Sequence, residues 1–480
     1  MSRLRLRRGD ASPALVLAIA CAAAVLASLD LFIVNVALPD MAADLGTDDL
    51  GELSWVLNAY AIVFAALLVL FGRLAERYPR ERGFLLGVLI FTVASAACAA
   101  ADSVEALVAA RIVQAAGAAL LTPTSLGLVL ATAAPEKRQS SVRAWTAIGG
   151  LAAALGPVAG GLLVALDWRW VFLVNVPVGI AALVIGWRRL PTVPGHPVAR
   201  PDALGALLVT GGVAALALGL VEGERWGWGS AATIGVLAAA VALLGLFALH
   251  TARHRNPLID RALLRVRAFT ASSVVGLLFS VAFGAMLLSV VLWAQEVWGW
   301  SALQTGFAVA PGPLMVPLFS FLVAGRLIAR LGPGPVLVAG ATVFAAGVAS
   351  WALRVGLEPD YVGALLPGML LTGVGVGLTM PTYVATAASA LPPQSFATGS
   401  AVVTMLRQVG MAIGVAVLVA LVGSPGSPAA ALDAFTRGWW VTAGFALAAA
   451  LAAALLLPSP NANRIGRSAS ATVKRIDDSA

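Results

Sequence analysis

Long apolar runs are the feature that most constrains how this chain can fold. Between residues 13 and 457, runs of about 18 or more mostly apolar residues alternate with short polar segments, and a helix of that length spans a bilayer. Only 11% of the residues are charged, against roughly a quarter in soluble domains, so a polytopic all-α membrane protein is predicted. We place fourteen spans, numbered 1 to 14 in chain order, at roughly 13–38, 54–71, 84–101, 104–127, 141–166, 169–187, 203–221, 230–250, 269–294, 303–324, 335–353, 361–385, 397–422 and 437–457.

The distribution of charged and aromatic residues predicts the orientation of these spans. The basic residues on one side of the predicted membrane are Arg169, Arg225, Arg354 and Arg437. Apart from Arg111 and Arg407, which lie within spans, the rest of the 31 Lys and Arg residues fall on the other side, and this bias marks the cytoplasmic face. The tails 1–12 and 458–480 are therefore expected in the cytoplasm. Tryptophan clusters on the outer side are predicted to anchor the protein at the membrane interface: Trp168–Trp170, Trp226–Trp228, Trp298–Trp300 and Trp439–Trp440.

Two pairs of similar segments indicate an internal repeat. "GRLAERYPRERG" (72–83) follows span 2 and is similar to "GRLIARLGPGPV" (325–336) after span 10, while "GAALLTPT" (117–124) and "GVGLTMPT" (375–382) end spans 4 and 12. The number of residues between the two members is nearly the same for both pairs, so two six-helix bundles are predicted. Such repeats are typical of membrane transporters. The predicted division is a first bundle at 13–190, two inserted spans within 191–252, and a second bundle at 253–457.

Asp30 is the sole carboxylate placed inside a predicted span, where a charge is costly unless a partner or a function requires it. It lies nine residues before Pro39 in span 1, and Arg111 lies seven residues after Val104 in span 4, which runs in the opposite direction. At about 1.5 Å per residue the two side chains lie at a similar depth. Burial raises the pKa of a carboxyl group and a nearby cation lowers it. A switchable proton-coupling pair is therefore predicted. A static interhelical ion pair is the alternative.

Other polar residues in or beside the spans are candidates for lining a substrate cavity: Asn35, Asn58, Tyr60, Gln114, Gln295, Arg407 and Gln408. Gln114 lies one turn beyond Arg111 on the same helix face and is placed to orient that arginine or to contact substrate. A hydrogen bond to a neighbouring helix is the alternative. Arg407 either contacts a substrate or gate, or is satisfied by carbonyl groups and water.

Span 5 carries a face of small residues that permits close helix contact, formed by Gly149, Gly156, Gly160 and Gly161 with Ala152 and Ala153. Pro157 removes a backbone hydrogen bond and favours a kink. We interpret this face as a seam along which helices move during gating. A plain packing helix is the alternative.

The segment after span 2 is a candidate cytoplasmic latch, formed by Gly72, Arg73, Glu76, Arg77 and Arg80. Glu76 is expected to pair with basic groups or with a helix N-terminus in one conformational state and to release them in another. Gly72 permits close approach of another backbone. A solvated basic loop that sets topology is the alternative.

Four of these segments resemble motifs of one transporter family. "LDLFIVNVALP" (29–39) resembles LDxTIVNVALP with Phe32 in place of Thr, and "GRLAERYPRER" resembles GxLaDrxGrrR with three departures, including Glu76 for Asp. "ARIVQAAGAAL" (110–120) resembles RxxQGxGaa, and "ALGPVAGG" (154–161) resembles GxxxGPxxGG. Along almost its whole length the chain resembles the fourteen-span drug:proton antiporter family of the major facilitator superfamily.

The resemblance implies a major facilitator fold and proton-coupled export of small amphiphilic drugs or antibiotics by alternating access. It implies that Asp30 carries the proton, that Arg111 tunes it, and that the span 5 motif favours export over uptake. The expected partners are a small-molecule substrate, protons and the lipid bilayer of a bacterial cell membrane, and a monomer is expected.

Several other classes are disfavoured by the sequence. The net charge of +8 is spread between apolar runs, so no nucleic-acid partner is expected. The chain lacks a GxxxxGK[ST] nucleotide loop and a visible nucleophile–base constellation, so no enzyme is expected. The cysteines show no metal-ligand spacing, and neither a metal nor a cofactor is expected. Two alternatives stay open: a transporter of another small metabolite on the same fold, and a membrane sensor or scaffold without transport.

Overall fold

The computed structural model describes residues 11–46, 50–195, 202–392, 395–423 and 425–457, and within them the side chains of Asn35, Asn58 and Pro157 are among those left undescribed. The described chain is helical throughout, which confirms the all-α prediction. The first seven helices are α1 Pro13–Leu45, α2 Leu50–Arg77, α3 Arg80–Ala99, α4 Val104–Thr132, α5 Arg138–Val164, α6 Trp170–Leu173 and α7 Asn175–Arg189. The inserted pair comprises α8 Ala203–Trp226 and α9 Ala231–Arg253.

The second half begins with a short helix and contains several interrupted spans. Its helices are α10 Arg261–Arg265, α11 Arg267–Leu292, α12 Ala302–Val309, α13 Pro311–Phe319, α14 Gly325–Leu331, α15 Pro333–Arg354, α16 Leu366–Ser389, α17 Phe396–Val422 and α18 Pro428–Leu456. Turns of π-helix occupy Trp293–Val297, Ser320–Ala324 and Tyr361–Leu365. Predicted span 10 is thus divided into α12, α13 and the π-helical turn at Ser320–Ala324, because prolines and that turn interrupt its hydrogen-bond ladder, and the helix continues past the predicted end as α14.

Thirteen helical segments of the described chain are long and apolar enough to cross a bilayer. They correspond to thirteen of the predicted spans, with α6 and α7 together forming span 6. Predicted span 5 is the helix α5, which has 27 residues but is not among the thirteen. The total of fourteen therefore stays a prediction.

The bundle has two ends that differ in charge. The basic face is the end that carries the α2–α3 connection at 78–79 and the α9–α11 connection at 254–266, and the acidic face is the opposite end, where α1 ends and α4 begins. Serine side chains start α4, α9 and α18 on the acidic face: Ser103, Ser230 and Ser427 each accept a hydrogen bond from a backbone N–H in the first helical turn. Such caps satisfy donors that have no partner inside the helix.

Close packing of α3 against α4 recurs in α15 against α16. A Cβ atom placed on Gly117 of α4 would lie 2.6 Å from the backbone nitrogen of Phe91, and one placed on Gly375 of α16 would lie 2.7 Å from that of Phe344. Both contacts bring backbones too close for any side chain larger than hydrogen. The repeated segments that predicted two related halves therefore make equivalent contacts in both.

The two halves meet along a limited set of helices. On one side α17 packs against α2 and α4, and on the other α5 packs against α12, α13 and α16. The inserted helices α8 and α9 pack on each other, and α8 also contacts α2 and α17. The predicted domain boundaries themselves stay predictions.

Three of the predicted membrane-anchoring tryptophans are instead buried inside the protein, so that interpretation is wrong for Trp168, Trp298 and Trp439. The indole Nε1 of Trp168 donates to Asp44 Oδ2 at 3.1 Å, and that of Trp439 donates to Ser289 Oγ at 3.1 Å. At the acidic face, hydrogen bonds from Trp168 and then Arg169 hold the pKa of Asp44 below its ordinary value. Sequence position alone did not reveal that these indoles have polar partners within the protein.

Candidate functional site

Asp30 and Arg111 meet inside the first bundle. The Nη1 atom of Arg111 on α4 donates to Oδ2 of Asp30 on α1 at 2.5 Å, and both side chains are 0% exposed. This contact agrees with the similar depth that the positions of Asp30 in span 1 and Arg111 in span 4 predicted. A buried pair of this kind is stable only if further hydrogen bonds satisfy its remaining polar atoms.

Two amides supply those hydrogen bonds to the carboxylate. Gln114 Nε2 donates to Asp30 Oδ1 at 2.8 Å, and Asn175 Nδ2, from the first turn of α7, donates to the same oxygen at 3.1 Å. Gln114 also accepts from Arg111 Nη1 at 2.6 Å and donates to Ser95 Oγ at 2.8 Å. Gln114 thus bridges the acid and the base, and its predicted orienting role stays a prediction.

The guanidinium of Arg111 is held from its other side by α2. Its Nε donates to the carbonyl of Val56 at 3.0 Å, and its Cζ lies 4.2 Å from the ring centre of Tyr60. A guanidinium stacked on an aromatic face gains electrostatic attraction that increases when water is excluded. Among the described residues, Arg111 Nη2 and the Tyr60 hydroxyl have no hydrogen-bond partner. The predicted cavity residue Tyr60 therefore contacts the arginine.

These residues form one buried polar network, which we call the Asp30 cluster: Asp30, Tyr60, Ser95, Arg111, Gln114 and Asn175. They come from α1, α2, α3, α4 and α7, and each is at most 1% exposed. Three donors converge on the carboxylate, so the site is built for the ionised form. Adding a proton would remove the ionic attraction to Arg111 and turn one acceptor oxygen into a donor facing other donors. The cluster can therefore convert a protonation event into a change of helix contacts.

The other predicted cavity residues do not join the cluster. Gln408 of α17 lines a pocket of about 40 Å³ together with residues of α2 and α8. Arg407 beside it is half-buried, and its Nε has no hydrogen-bond partner among the described residues. Gln295 is exposed in the π-helical turn after α11, at the acidic face. Asn35 and Asn58 lie outside the described side chains.

The candidate latch joins the two bundles at the basic face. Glu76 is 0% exposed; its Oε1 accepts from the backbone N–H of Thr398 at 2.8 Å and its Oε2 accepts from Arg73 Nη1 at 2.9 Å. Thr398 lies in the first turn of α17, where N–H groups lack intrahelical partners and carry partial positive charge. A Cβ atom on Gly72 would lie 2.5 Å from Ala401 Cβ. The structure thus shows Glu76 in the paired arrangement that the sequence predicted for one state.

Another latch residue, Arg80, binds within the first half. Arg80 is 1% exposed and donates from Nη1 to the carbonyl of Gly127 on α4 at 3.3 Å, while its backbone N–H donates to the Val193 carbonyl at 3.1 Å. Arg77 is half-buried at the end of α2. Arg80 therefore ties the start of α3 to α4 and to the segment after α7.

The small residues of α5 face two different neighbours. A Cβ atom on Gly149 would lie 3.4 Å from Ser28 Oγ of α1, and one on Gly161 would lie 3.2 Å from Leu303 Cδ1 of α12 in the other half. Gly156 and Gly160 are buried, and the side chain of Pro157 is outside the described set. The helix thus contacts both halves, as a gating seam requires.

The partners of the predicted site that were missed from the sequence include Ser95, Asn175, the Val56 carbonyl and the backbone N–H of Thr398. Asn175 is a lone amide in an apolar segment, the same signal that selected Asn35 as a candidate. Ser95 is one of several small polar residues in α3, and a backbone donor has no sequence signal.

The chain forms two helical halves joined by an inserted helix pair, and the buried ion pair lies inside the first half. Comparison with known proteins gives the family. The profile described as Major Facilitator Superfamily matches residues 20–415, with a second match at 274–475. The chain is 36% identical over 457 residues to the puromycin resistance protein pur8 of Streptomyces alboniger, which covers 92% of this chain and 90% of that protein. It is 34% identical over 400 residues to the tetracenomycin C resistance and export protein of Streptomyces glaucescens, covering 83% and 73%. This chain belongs to the major facilitator superfamily.

A solved structure agrees with this fold. The human organic anion transporter MFSD10 (TETRAN) has a TM-score of 0.65 and covers 91% of this chain and 98% of its own, at 16% identity. At that identity the likeness concerns the fold alone.

Proposed function

We propose that this protein is a proton-coupled exporter of small amphiphilic drugs or antibiotics, working as a monomer in a bacterial plasma membrane. Relatives that span most of the chain are named for resistance to, or export of, such compounds. In this proposal α5 is the fourteenth span, the chain belongs to the fourteen-span drug:proton antiporters, and the basic face with both termini lies in the cytoplasm. Protons move inward as the compound moves outward.

The observation that carries the proposal is the ion pair of Asp30 and Arg111, buried on all sides by five helices. A permanently buried charge pair is a poor device for stability, because its desolvation offsets most of its attraction. In this proposal the pair takes up and releases a proton in each transport cycle, and this function explains why the protein retains a pair whose desolvation is unfavourable. Asp30 is the proton carrier in this account, and Arg111 with its amide partners sets when the proton leaves.

Coupling then passes through helix positions and not through direct competition at the carboxylate. Asp30 is 0% exposed, so a compound between the two halves has no contact with it in this conformation. Protonation weakens the contacts that α1 makes with α4 and α7, and α1 packs extensively against α5. Because α5 also contacts the second half, a shift of α1 is transmitted to the seam between the halves.

The basic face is closed in this structure by the contact of Glu76 with α17. Opening of the protein to the cytoplasm requires that this contact and the Gly72–Ala401 packing separate. In this account the structure represents a state that is closed to compound on the cytoplasmic side. Alternating access follows if protonation of the Asp30 cluster changes the stability of this closed state.

Transport into inverted vesicles tests the proposal directly. A panel of antibiotics and amphiphilic dyes is offered to vesicles containing the protein, with an imposed gradient that is acidic inside. We expect gradient-driven accumulation of at least one compound, and its loss when an ionophore that exchanges protons for potassium collapses the gradient. Accumulation that does not depend on the pH gradient would contradict proton coupling. The absence of transport of any compound in a broad panel would contradict the proposed substrate class.

A further inference from the structure

Three metal-ligating side chains meet where the inserted helix pair begins and ends. Asp202 immediately precedes α8, His250 lies in the last turn of α9, and His254 follows that helix. Their ligand atoms all lie within 4.8 Å of one another. His250 Nε2 lies 2.8 Å from Asp202 Oδ2, and His254 Nδ1 lies 3.9 Å from the same oxygen. The two histidines lie four residues apart in the sequence, but 48 residues separate Asp202 from the first of them, so sequence spacing did not reveal the acid as their partner.

Contacts around the cluster hold it in position. Asp202 Oδ1 accepts the backbone N–H of Gly205 at 2.9 Å, which orients the carboxylate and leaves Oδ2 to the histidines. Arg261 donates to the carbonyls of Thr251 and His254 at 2.8 and 2.9 Å, which fixes the backbone that carries His254. The side chain of Asp202 is 3% exposed, whereas His254 is 40% exposed. The cluster is thus anchored on one side and open to solvent on the other.

We propose that Asp202, His250 and His254 bind a divalent transition-metal ion, with Zn²⁺ the best match. Zinc is bound by imidazole nitrogen and carboxylate oxygen at about 2.0–2.2 Å, with water in an open fourth position. Histidines four residues apart at a helix end chelate one ion from the same side. The ion sits at the C-terminal end of α9, where the helix dipole favours a cation.

Binding replaces interactions that the metal-free protein makes. The hydrogen bond between His250 and Asp202 gives way to two bonds to the ion, and the Asn256 N–H that donates to His254 Nδ1 at 3.2 Å is displaced. Arg253 and Arg255 are exposed nearby and repel a cation, an effect that salt screens over about 10 Å. The bound ion links the start of α8 to the end of α9 and therefore stiffens this helix pair. Within the pair, α8 packs against α2 and α17.

Zinc binding by the purified full-length protein tests this site. A tag without histidines is used, and bound metal is measured after equilibrium dialysis against Zn²⁺, with Co²⁺ absorbance reporting ligand geometry. We expect one Zn²⁺ per chain, and at least a 10–100-fold weaker affinity in His254→Ala, since even loss of an outer partner of a metal ligand costs that much. Asp202→Asn is expected to weaken binding while its amide oxygen still caps α8.

Glu358→Gln, which removes an exposed acid outside the cluster, is the matched control and is expected to bind as the wild type does. Zn²⁺ is also expected to raise the thermal unfolding temperature of the wild type and of Glu358→Gln, but not of His254→Ala. Equal Zn²⁺ affinity in wild type and His254→Ala, or no binding by the wild type, would overturn the proposal. The test reads metal binding alone, so its result is independent of whether the protein exports any compound.

Discussion

Glu76 of α2 accepts a hydrogen bond from the backbone N–H of Thr398, 322 residues later in the chain. The contact places a buried carboxylate at the N-terminal turn of α17, where the helix dipole favours negative charge. Arg73 neutralises the other carboxylate oxygen. One acidic side chain thus joins the two halves at the face that is proposed to be cytoplasmic.

Removing this carboxylate is expected to loosen the basic face. Hydrogen bonds to charged groups contribute about 1.5–3 kcal/mol, so Glu76→Ala should favour the open state on the order of tenfold or more. Opening is measured as the rate at which an impermeant thiol reagent in inverted vesicles labels Ala397→Cys, since the native Cys21 and Cys98 are buried. Glu105→Gln, which removes an exposed acid from the first turn of α4, is the control and should leave labelling unchanged.

Gly72 and its repeat counterpart Gly325 are expected to differ in tolerance to alanine. A methyl group on Gly72 would lie 2.5 Å from Ala401 Cβ, whereas on Gly325 the nearest atom is Arg143 Nη2 at 3.2 Å, the mobile end of a long side chain. Gly72→Ala should destabilise the closed basic face by about 1–3 kcal/mol and reduce transport, and Gly325→Ala should be near neutral. In the double variant Gly72→Ala/Ala401→Gly we expect partial recovery. Equal effects of the two single substitutions would contradict the packing account.

Asn175 is expected to set the pH range of transport. Its amide donates to Asp30 Oδ1 and therefore favours the ionised carboxylate. Asn175→Leu removes this donor, so the pH profile of gradient-driven transport should move to higher pH. Ser95→Ala is the matched control: it removes a buried polar group of the same cluster that touches Gln114 and not the carboxylate. If both substitutions shift the profile alike, Asn175 has no specific effect on the proton carrier.

Replacing Arg111 while Asp30 remains is expected to lower the thermal stability of the protein. Arg111→Met leaves Asp30 without its cation, and removal of one partner of a buried pair typically costs about 3–5 kcal/mol. Asp30→Asn/Arg111→Met leaves no buried charge and should be more stable than Arg111→Met alone. Thermal unfolding in detergent at neutral pH measures both. A double variant no more stable than the single one would show that the two side chains are not coupled.

Much of the fold could be predicted because its physical signals are local. Long apolar runs dictate spanning helices, and the repeated glycines dictate close pairs, as Gly117 against Phe91 and Gly375 against Phe344 show. The pairing of Asp30 with Arg111 followed from two numbers, the rise of a helix and the position of each residue in its span. Interruptions within helices were harder to predict, because the π-helical turn at Ser320–Ala324 depends on how neighbouring helices pack.

The composition of the site could be predicted only in part. Tyr60 was expected in a substrate cavity, but it stacks on Arg111, because residue type and depth do not give the direction in which a helix faces. Asn175 and Asp202 gain their roles from partners far away in the chain, and Thr398 contributes only its backbone N–H. Such contacts depend on tertiary packing, which periodicity does not encode.

The central claim, that Asp30 carries the coupled proton, is tested most directly with Asp30→Asn in inverted vesicles. Asparagine keeps the shape of the side chain and an acceptor oxygen, but it cannot take up and release a proton. We expect the variant to be made and folded, to bind compound, and to lose accumulation driven by the pH gradient while retaining exchange of compound at equal concentrations. Accumulation by Asp30→Asn at the wild-type level under the same gradient would contradict the account.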